Sequence, residues 1–265
     1  MKKSLISALL LAASFYSSAQ DYEMESEPPA PLVNIKKVKF GAFIAPNVSW
    51  MSPTSSKSKD GLYRVSSNGS NIGFTWGLLA DYFFTENYGI ASGIHINNTG
   101  GNVRAVRRVE GDKANNFVET ADFNYRLQYI ELPFHLKLRT DEIKQSGFKA
   151  FGQLGLTAGI NIGKKATYEV SYWDAGTGSF VAAEGDREKL SGSFTIAPVN
   201  LQLNIGAGVE KRISQKMSYY LGLFFNNGFL PDATKPEEFD LEYKGRFSDG
   251  NVRLNNFAFR LGLFF

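Results

Sequence analysis

The chain has 265 residues, no cysteine and two histidines, with 29 Lys and Arg set against 26 Asp and Glu. A disulfide framework, a thiolate metal site and a lipid anchor on an N-terminal cysteine are excluded, two histidines alone build no ordinary zinc site, and a net charge of +3 is too small to point to a nucleic-acid partner. What remains is 14% aromatic residues and 26 glycines in a chain that is 43% hydrophobic, a composition suited to strands that alternate apolar and polar residues.

Lys2 and Lys3 precede an apolar run from Leu5 to Phe15, and Ser17-Ser18-Ala19 supplies a small-x-small cleavage site before Gln20. Residues 1–19 therefore read as a secretory signal peptide, too short in its apolar core for a spanning helix. No later apolar run reaches the roughly 20 residues that a membrane helix requires. Residues 20–37 carry Asp21, Glu23, Glu25 and Glu27, followed by Pro28, Pro29 and Pro31. They read as a flexible acidic leader on the periplasmic side.

From residue 38 to 265 one pattern repeats. Val38, Phe40, Ala42, Ile44, Val48 and Trp50 alternate with Lys39, Gly41, Asn47 and Ser49, the period-two signature of a strand with one apolar face. The same alternation runs through Ile72–Tyr82, Tyr88–Asn97, Ile130–Leu138, Phe148–Ile162, Val199–Val209, Tyr219–Phe225 and Phe257–Phe265. Eight strands are predicted, most of them long enough for the roughly 9–11 residues that cross a bilayer as a tilted strand.

Their connections alternate in length. Strands two and three, four and five, and six and seven are joined by short turns, whereas the links at about 52–70, 99–122, 164–194 and 230–250 are long and polar. Short turns at one end and long loops at the other are the asymmetry of an outer-membrane barrel. The fold class expected is all-β, an eight-stranded antiparallel transmembrane β-barrel over residues 38–265 with both termini periplasmic. Tyr82, Phe84, Tyr88, Tyr219 and Phe265 fall at the turn ends and Trp50, Tyr63 and Tyr125 toward the loop ends, as two interfacial girdles would.

The segment Tyr129-Ile130-Glu131-Leu132-Pro133-Phe134-His135-Leu136-Lys137 resembles the Tyr-(Ile/Leu)-Glu-(Leu/Ile)-Pro-x-x-Leu-Lys stretch of the PorT-like, porin-family outer-membrane β-barrel proteins of Bacteroidetes. The last strand, with Phe257, Phe259, Leu261, Leu263 and the terminal Phe265 on one face, is similar to the C-terminal signal read by the barrel-assembly machinery. The resemblance implies an eight-stranded barrel and a role in supporting protein secretion, with secretion-system proteins as partners. On the residues themselves, the apolar phase moves from odd (Phe123, Tyr125, Leu127) to even (Ile130 onward) just before Pro133. This predicts a bulge near Tyr129 that either re-aims Glu131 or turns a barrel corner.

An eight-stranded barrel is about wide enough to be filled by its own side chains. Lys39, Asp81, Glu131, Lys137, Lys149, Glu210 and Arg260 occupy inward positions, and opposite charges crowded there are expected to pair and plug the interior. A proton or ion path is the sharper reading of the same residues. No cofactor or metal is expected. The enzyme reading rests on His95 with Ser92 and Asn97, a set without an orienting carboxylate in its own strand, and His135 reads as a lumen residue. Among the loops, Arg104, Arg107 and Arg108 form a basic cluster suited to lipopolysaccharide phosphates, although Glu110, Asp112 and Glu119 follow. The alternation Ala166–Tyr172 predicts that strand five continues beyond the membrane and pairs with residues before Phe194, leaving a ribbon edge for a partner strand. The expected role is structural or partner-binding, not enzymatic, with outer-membrane lipid as the surroundings. A narrow channel and a lipid-modifying enzyme are the alternatives.

Overall fold

The computed structural model describes residues 38–55, 61–143, 146–190, 196–214, 216–231 and 252–265; the expected signal peptide, the acidic leader and most of the link at 230–250 lie outside them. Among the described residues there are ten strands: β1 (Val38–Pro53), β2 (Tyr63–Ser67), β3 (Ser70–Phe83), β4 (Tyr88–Arg107), β5 (Phe117–Arg139), β6 (Phe148–Asp174), β7 (Ser179–Lys189), β8 (Val199–Arg212), β9 (Ser218–Gly228) and β10 (Val252–Phe264). They form one antiparallel sheet in the order β2-β4-β3-β1-β10-β9-β8-β6-β5, and β4 also pairs with β5. The pairings thus return on themselves through β1, β3, β4, β5, β6, β8, β9 and β10. The chain's first strand lies beside its last, with Gly41 opposite Phe264 and Trp50 opposite Asn255. No helix among the described residues is long and apolar enough to cross a membrane.

The eight alternating segments of the sequence map onto the eight strands of this cycle; β2 and β7 stand outside it. β2 pairs with the upper part of β4 and β7 with the upper part of β6. The ribbon expected beyond strand five is therefore formed, its return strand being Ser179–Lys189.

The long polar links are shorter than predicted because the strands outrun the apolar belt. Between β4 and β5 only residues 108–116 lie outside strand, against the expected 99–122. β5 shows why. Along its lower half Ile130, Leu132, Phe134, Leu136 and Leu138 face outward, while Glu131, His135 and Lys137 are buried. Along its upper half the chemistry is exchanged: Phe123, Tyr125, Leu127 and Tyr129 are buried, while Asn124, Arg126 and Gln128 face outward. From Ala121 to Lys137 the buried positions stay odd, so the apparent phase shift before Pro133 is a change in what the interior holds and not in the direction of the side chains. β5 carries no extra residue here to re-aim Glu131.

A register irregularity does occur opposite Gln128 and Tyr129, but its extra residue is on the neighbouring strand, where Gln128 pairs with Gly163 and Tyr129 with Asn161. Ile162 is the added residue. Buried positions on β6 accordingly pass from odd (Phe151, Gln153, Thr157) to even (Ala166, Tyr168, Val170) across it, the local consequence of a bulge.

Above the belt the interior is an apolar core of Met51, Val103, Val118, Phe123, Tyr125, Leu127, Tyr129, Leu254 and their neighbours. Each such burial stabilises by about 1.5–3 kcal/mol relative to exposure, which helps order the strands beyond the apolar belt. Tyr63 and Tyr125, expected in a girdle, are only 1% exposed and belong to this core. At the turn end Tyr82, Phe84, Tyr88 and Phe265 are exposed, and toward the loop end Trp50 stacks on Phe225 with ring centroids 6.2 Å apart.

Candidate functional site

The interior at belt level carries the chemistry. At the turn end Lys39 at the start of β1, Asp81 on β3, Lys137 and Arg139 on β5 and Glu210 on β8 converge. Lys137 Nζ lies 2.6 Å from Asp81 Oδ2, their side chains 3% and 2% exposed. Lys39 Nζ lies 2.7 Å from Glu210 Oε1, while Lys137 and Arg139 approach Glu210 Oε2 at 3.9 and 3.6 Å. The Ser218 hydroxyl donates to Glu210 at 2.8 Å. Three cations and two carboxylates thus form one cluster in a space with little water to screen them. Lys137 also sits over the rings of Phe151 (4.9 Å) and Phe264 (4.7 Å), so its charge is covered on several sides.

The structure does not gather all the predicted charges into that cluster. Glu131 is buried higher on β5 and accepts from Asn97 Nδ2 at 2.7 Å. Arg260 is buried with its guanidinium 4.9 Å from the Phe43 ring and 4.1 Å from that of Phe224. Lys149 is half-buried at the end of β6 and takes part in none of the ion pairs of the described residues. Arg139, absent from the expected set, does; it shares the parity of Lys137 two residues away, which is the signal that marks it.

Neutral polar residues continue the network. Asn47 Nδ2 donates to Thr75 Oγ1 (3.0 Å), Thr75 Oγ1 to Asn97 Oδ1 (2.8 Å) and Asn97 to Glu131. On the other side of the cycle Asn204 donates to Asn226 (2.6 Å) and Asn226 to Asn256 (2.7 Å). These strings join neighbouring strands through amides that can each donate and accept. His135 bonds Gln153 through Nδ1 and meets Thr157 Oγ1 at 2.9 Å through Nε2. His95 packs edge-on against Phe43, with centroids 4.6 Å apart. Both imidazoles lie over glycines of the adjacent strand, Gly77 opposite His95 and Gly155 opposite His135. A Cβ on Gly155 would lie 2.5 Å from His135 Cα.

The void between Asp81, His95, Lys137, Tyr220 and Arg260 is about 10 Å³, room for about one water molecule. The residues of the enzyme reading are not assembled. Ser92 shares the outer face with its cross-strand partner Phe134 and donates to the Pro133 carbonyl at 2.8 Å, whereas His95 is buried opposite Glu131 on the inner face.

Above the belt, Arg104 is held by Asp122 through bonds of 2.8 to 3.0 Å, an interaction that raises its pKa from the ordinary value by hydrogen bonding and charge. Arg107 lies over the rings of Phe117 (4.8 Å) and Tyr63 (5.7 Å). Arg108 follows at the mouth of the 108–116 loop, its amide donating to the Leu62 carbonyl.

An all-antiparallel sheet that closes its pairings, turns aliphatic residues outward and hides ions and amides within defines the class of outer-membrane β-barrel proteins. The chain belongs to the outer membrane protein beta-barrel domain family, whose model matches residues 18–226. Among solved structures it is similar to Neisserial surface protein A, with 15% identity, 85% of this chain and 96% of that one covered and a TM-score of 0.35. It is also similar to Ail of Yersinia pestis (12% identity, 86% and 99% covered, TM-score 0.30) and to OprG of Pseudomonas aeruginosa (10%, 86% and 93%, TM-score 0.31). No curated protein matches the chain significantly in sequence.

Proposed function

We propose that this protein is a sealed, eight-stranded transmembrane β-barrel of the outer membrane that serves as a structural and partner-binding platform, with both termini on the periplasmic side. The observation that carries this reading is the exchange of faces along the strands. A soluble protein rarely leaves a contiguous apolar patch of more than a few hundred Å² uncovered, yet Phe40, Ile44, Trp76, Leu78, Phe134, Leu156, Ile205, Phe259 and many neighbours are exposed around the cycle. Lipid satisfies such a belt, and the closed pairing leaves no unpaired edge within it. Ion pairs at the turn end and a dry core at the loop end fill the interior, which supports a plug over a channel.

What reaches the outside is the β6–β7 ribbon. β7 pairs with β6 alone among the described strands, so its other edge offers backbone groups to a partner strand. The Tyr129–Lys137 resemblance to PorT-like proteins supports a secretion-system component as that partner. Planar-bilayer recording on the purified protein tests the platform against the channel: no conductance steps are expected, and reproducible steps in wild type that vanish on occluding the turn end overturn the sealed reading.

A further inference from the structure

Immediately above the belt, three cations stand in one cross-strand row. Arg126 on β5 is paired with Lys165 on β6, and Lys165 with Lys189 on β7; all three are exposed. Like charges directly opposite one another destabilise a sheet, and none of the three makes an ion pair with an acid among the described residues. Asp122 opposite Glu169 and Glu169 opposite Glu184 stand further out, with Arg104 opposite Asp122, and Glu188, the acid next to Lys189, accepts from the Tyr168 hydroxyl at 3.1 Å.

The row borders a groove on the outer wall. It crosses β3, β4, β5 and β6, has a volume of about 430 Å³, and is lined by Asn71, Asn98, Arg126, Gln128, Lys164 and Lys165 together with Ile72. Gln128 Nε2 donates to Asn98 Oδ1 at 2.8 Å, which fixes its floor. Below it the wall is apolar, with Phe74, Ile160 and Ile162 exposed. A ligand lying here would have acyl chains against the belt and its charge against the cations.

From this juxtaposition we infer that the groove and its cationic row hold the phosphate groups of a phosphorylated glycolipid of the outer leaflet. The inference rests on the membrane placement proposed above. Arg104 and Arg107, the more conspicuous basic residues in the sequence, are engaged with Asp122 and with aromatic rings, whereas the row makes no ion pair with an acid among the described residues. Arginine and lysine at this level serve as donors to phosphate oxygens, and a desolvated headgroup boundary strengthens each contact.

The test compares the full protein in phosphatidylcholine vesicles with and without bisphosphorylated lipid A, reading the temperature at which the folded form is lost on a heat-modifiability gel. Lipid A is expected to raise that midpoint by roughly 5 °C or more, the size produced by a ligand about 100-fold above its Kd. The shift is expected to collapse at about 1 M salt, where charges are screened beyond about 3 Å. The variant R126Q/K165Q/K189Q should lose most of the shift and melt no lower than wild type in phosphatidylcholine alone. If the triple variant does not insert, K165Q is read in its place, with about half of the shift lost.

A wild-type shift retained by the variants, or no shift in wild type, overturns the inference. So does an equal shift from millimolar inorganic phosphate, which would make this a site for free anion. A chain that never enters vesicles, with Trp76 unquenched by brominated acyl chains, sinks the membrane placement as well; insertion without a lipid A effect sinks this inference alone.

Discussion

Lys137→Met isolates the energetics of the plug. Methionine keeps the length and the contacts with Phe151 and Phe264 but removes the cation 2.6 Å from Asp81 Oδ2. Asp81 then remains almost fully buried without its partner, and stranding one member of a buried pair costs about 3–5 kcal/mol. Glu210 keeps Lys39 and Arg139 within ion-pair distance, so the loss is assigned chiefly to Asp81. In urea unfolding from phospholipid vesicles, followed by the fluorescence of the three tryptophans, the midpoint is expected to fall by roughly 1–2 M at an m value of about 2–3 kcal/mol per M. The double variant Asp81→Asn/Lys137→Met removes both charges and should recover most of that loss, ending within about 1 kcal/mol of wild type, because a neutral replacement of a buried pair is often close to neutral. A single variant indistinguishable from wild type, or a double variant no better than the single, refutes the picture of ions paired in a dry interior.

In single-tryptophan proteins, Trp76, half exposed on the belt, should be strongly quenched by bromine placed on lipid acyl chains, and Trp173 near the ribbon tip should not; equal quenching contradicts the assigned belt. Gly155→Val should destabilise by about 1–3 kcal/mol through overpacking, because its added carbons meet the Phe134 carbonyl and the His135 backbone, and the urea midpoint measures it. Tyr125→Ala should cost about 3–5 kcal/mol of the upper core and expose the ribbon to limited proteolysis while the belt stays protected. Arg104→Ala, which removes an exposed ion pair with Asp122, should leave the midpoint unchanged within error.

Most of the strands were legible because lipid-facing strands obey a simple rule, apolar at every second position, and the rule gives both existence and facing. It failed where lipid ends. At Phe123–Tyr129 the same alternation encloses a water-excluding core, so the apolar residues change sides while the backbone does not, and a sequence scan sees a phase shift where the strand runs straight. The true irregularity at Ile162 leaves little trace, since Ile162 and Gly163 fit either face. The acids and bases at inward parity were readable one by one. Which of them meet is not given by parity or by register alone: Lys149 stands directly opposite Glu210 yet makes no ion pair among the described residues, whereas Arg139 reaches Glu210 Oε2 at 3.6 Å from β5. The amide strings were missed because asparagine on a barrel strand is read as polar filler until its neighbours on three strands are known.

The exchange of faces along β5 also sets a draught mark for the whole protein. Sliding two residues deeper would carry Arg126 toward hydrocarbon, where an arginine costs about 2–4 kcal/mol at mid-depth against about 0–1 kcal/mol near the surface; rising by as much would strip lipid from Ile130 and its cross-strand neighbour Ile160. The Ile130–Leu138 stretch climbs roughly 20 Å at the usual strand tilt, about a third less than the roughly 30 Å of a typical bilayer's hydrocarbon. Since the protein cannot shift vertically without penalty, the surrounding lipids must yield, thinning toward it at fractions of a kcal/mol per Å. The barrel therefore shapes its own annulus, and molecules that prefer thin bilayer will gather on its β5 side.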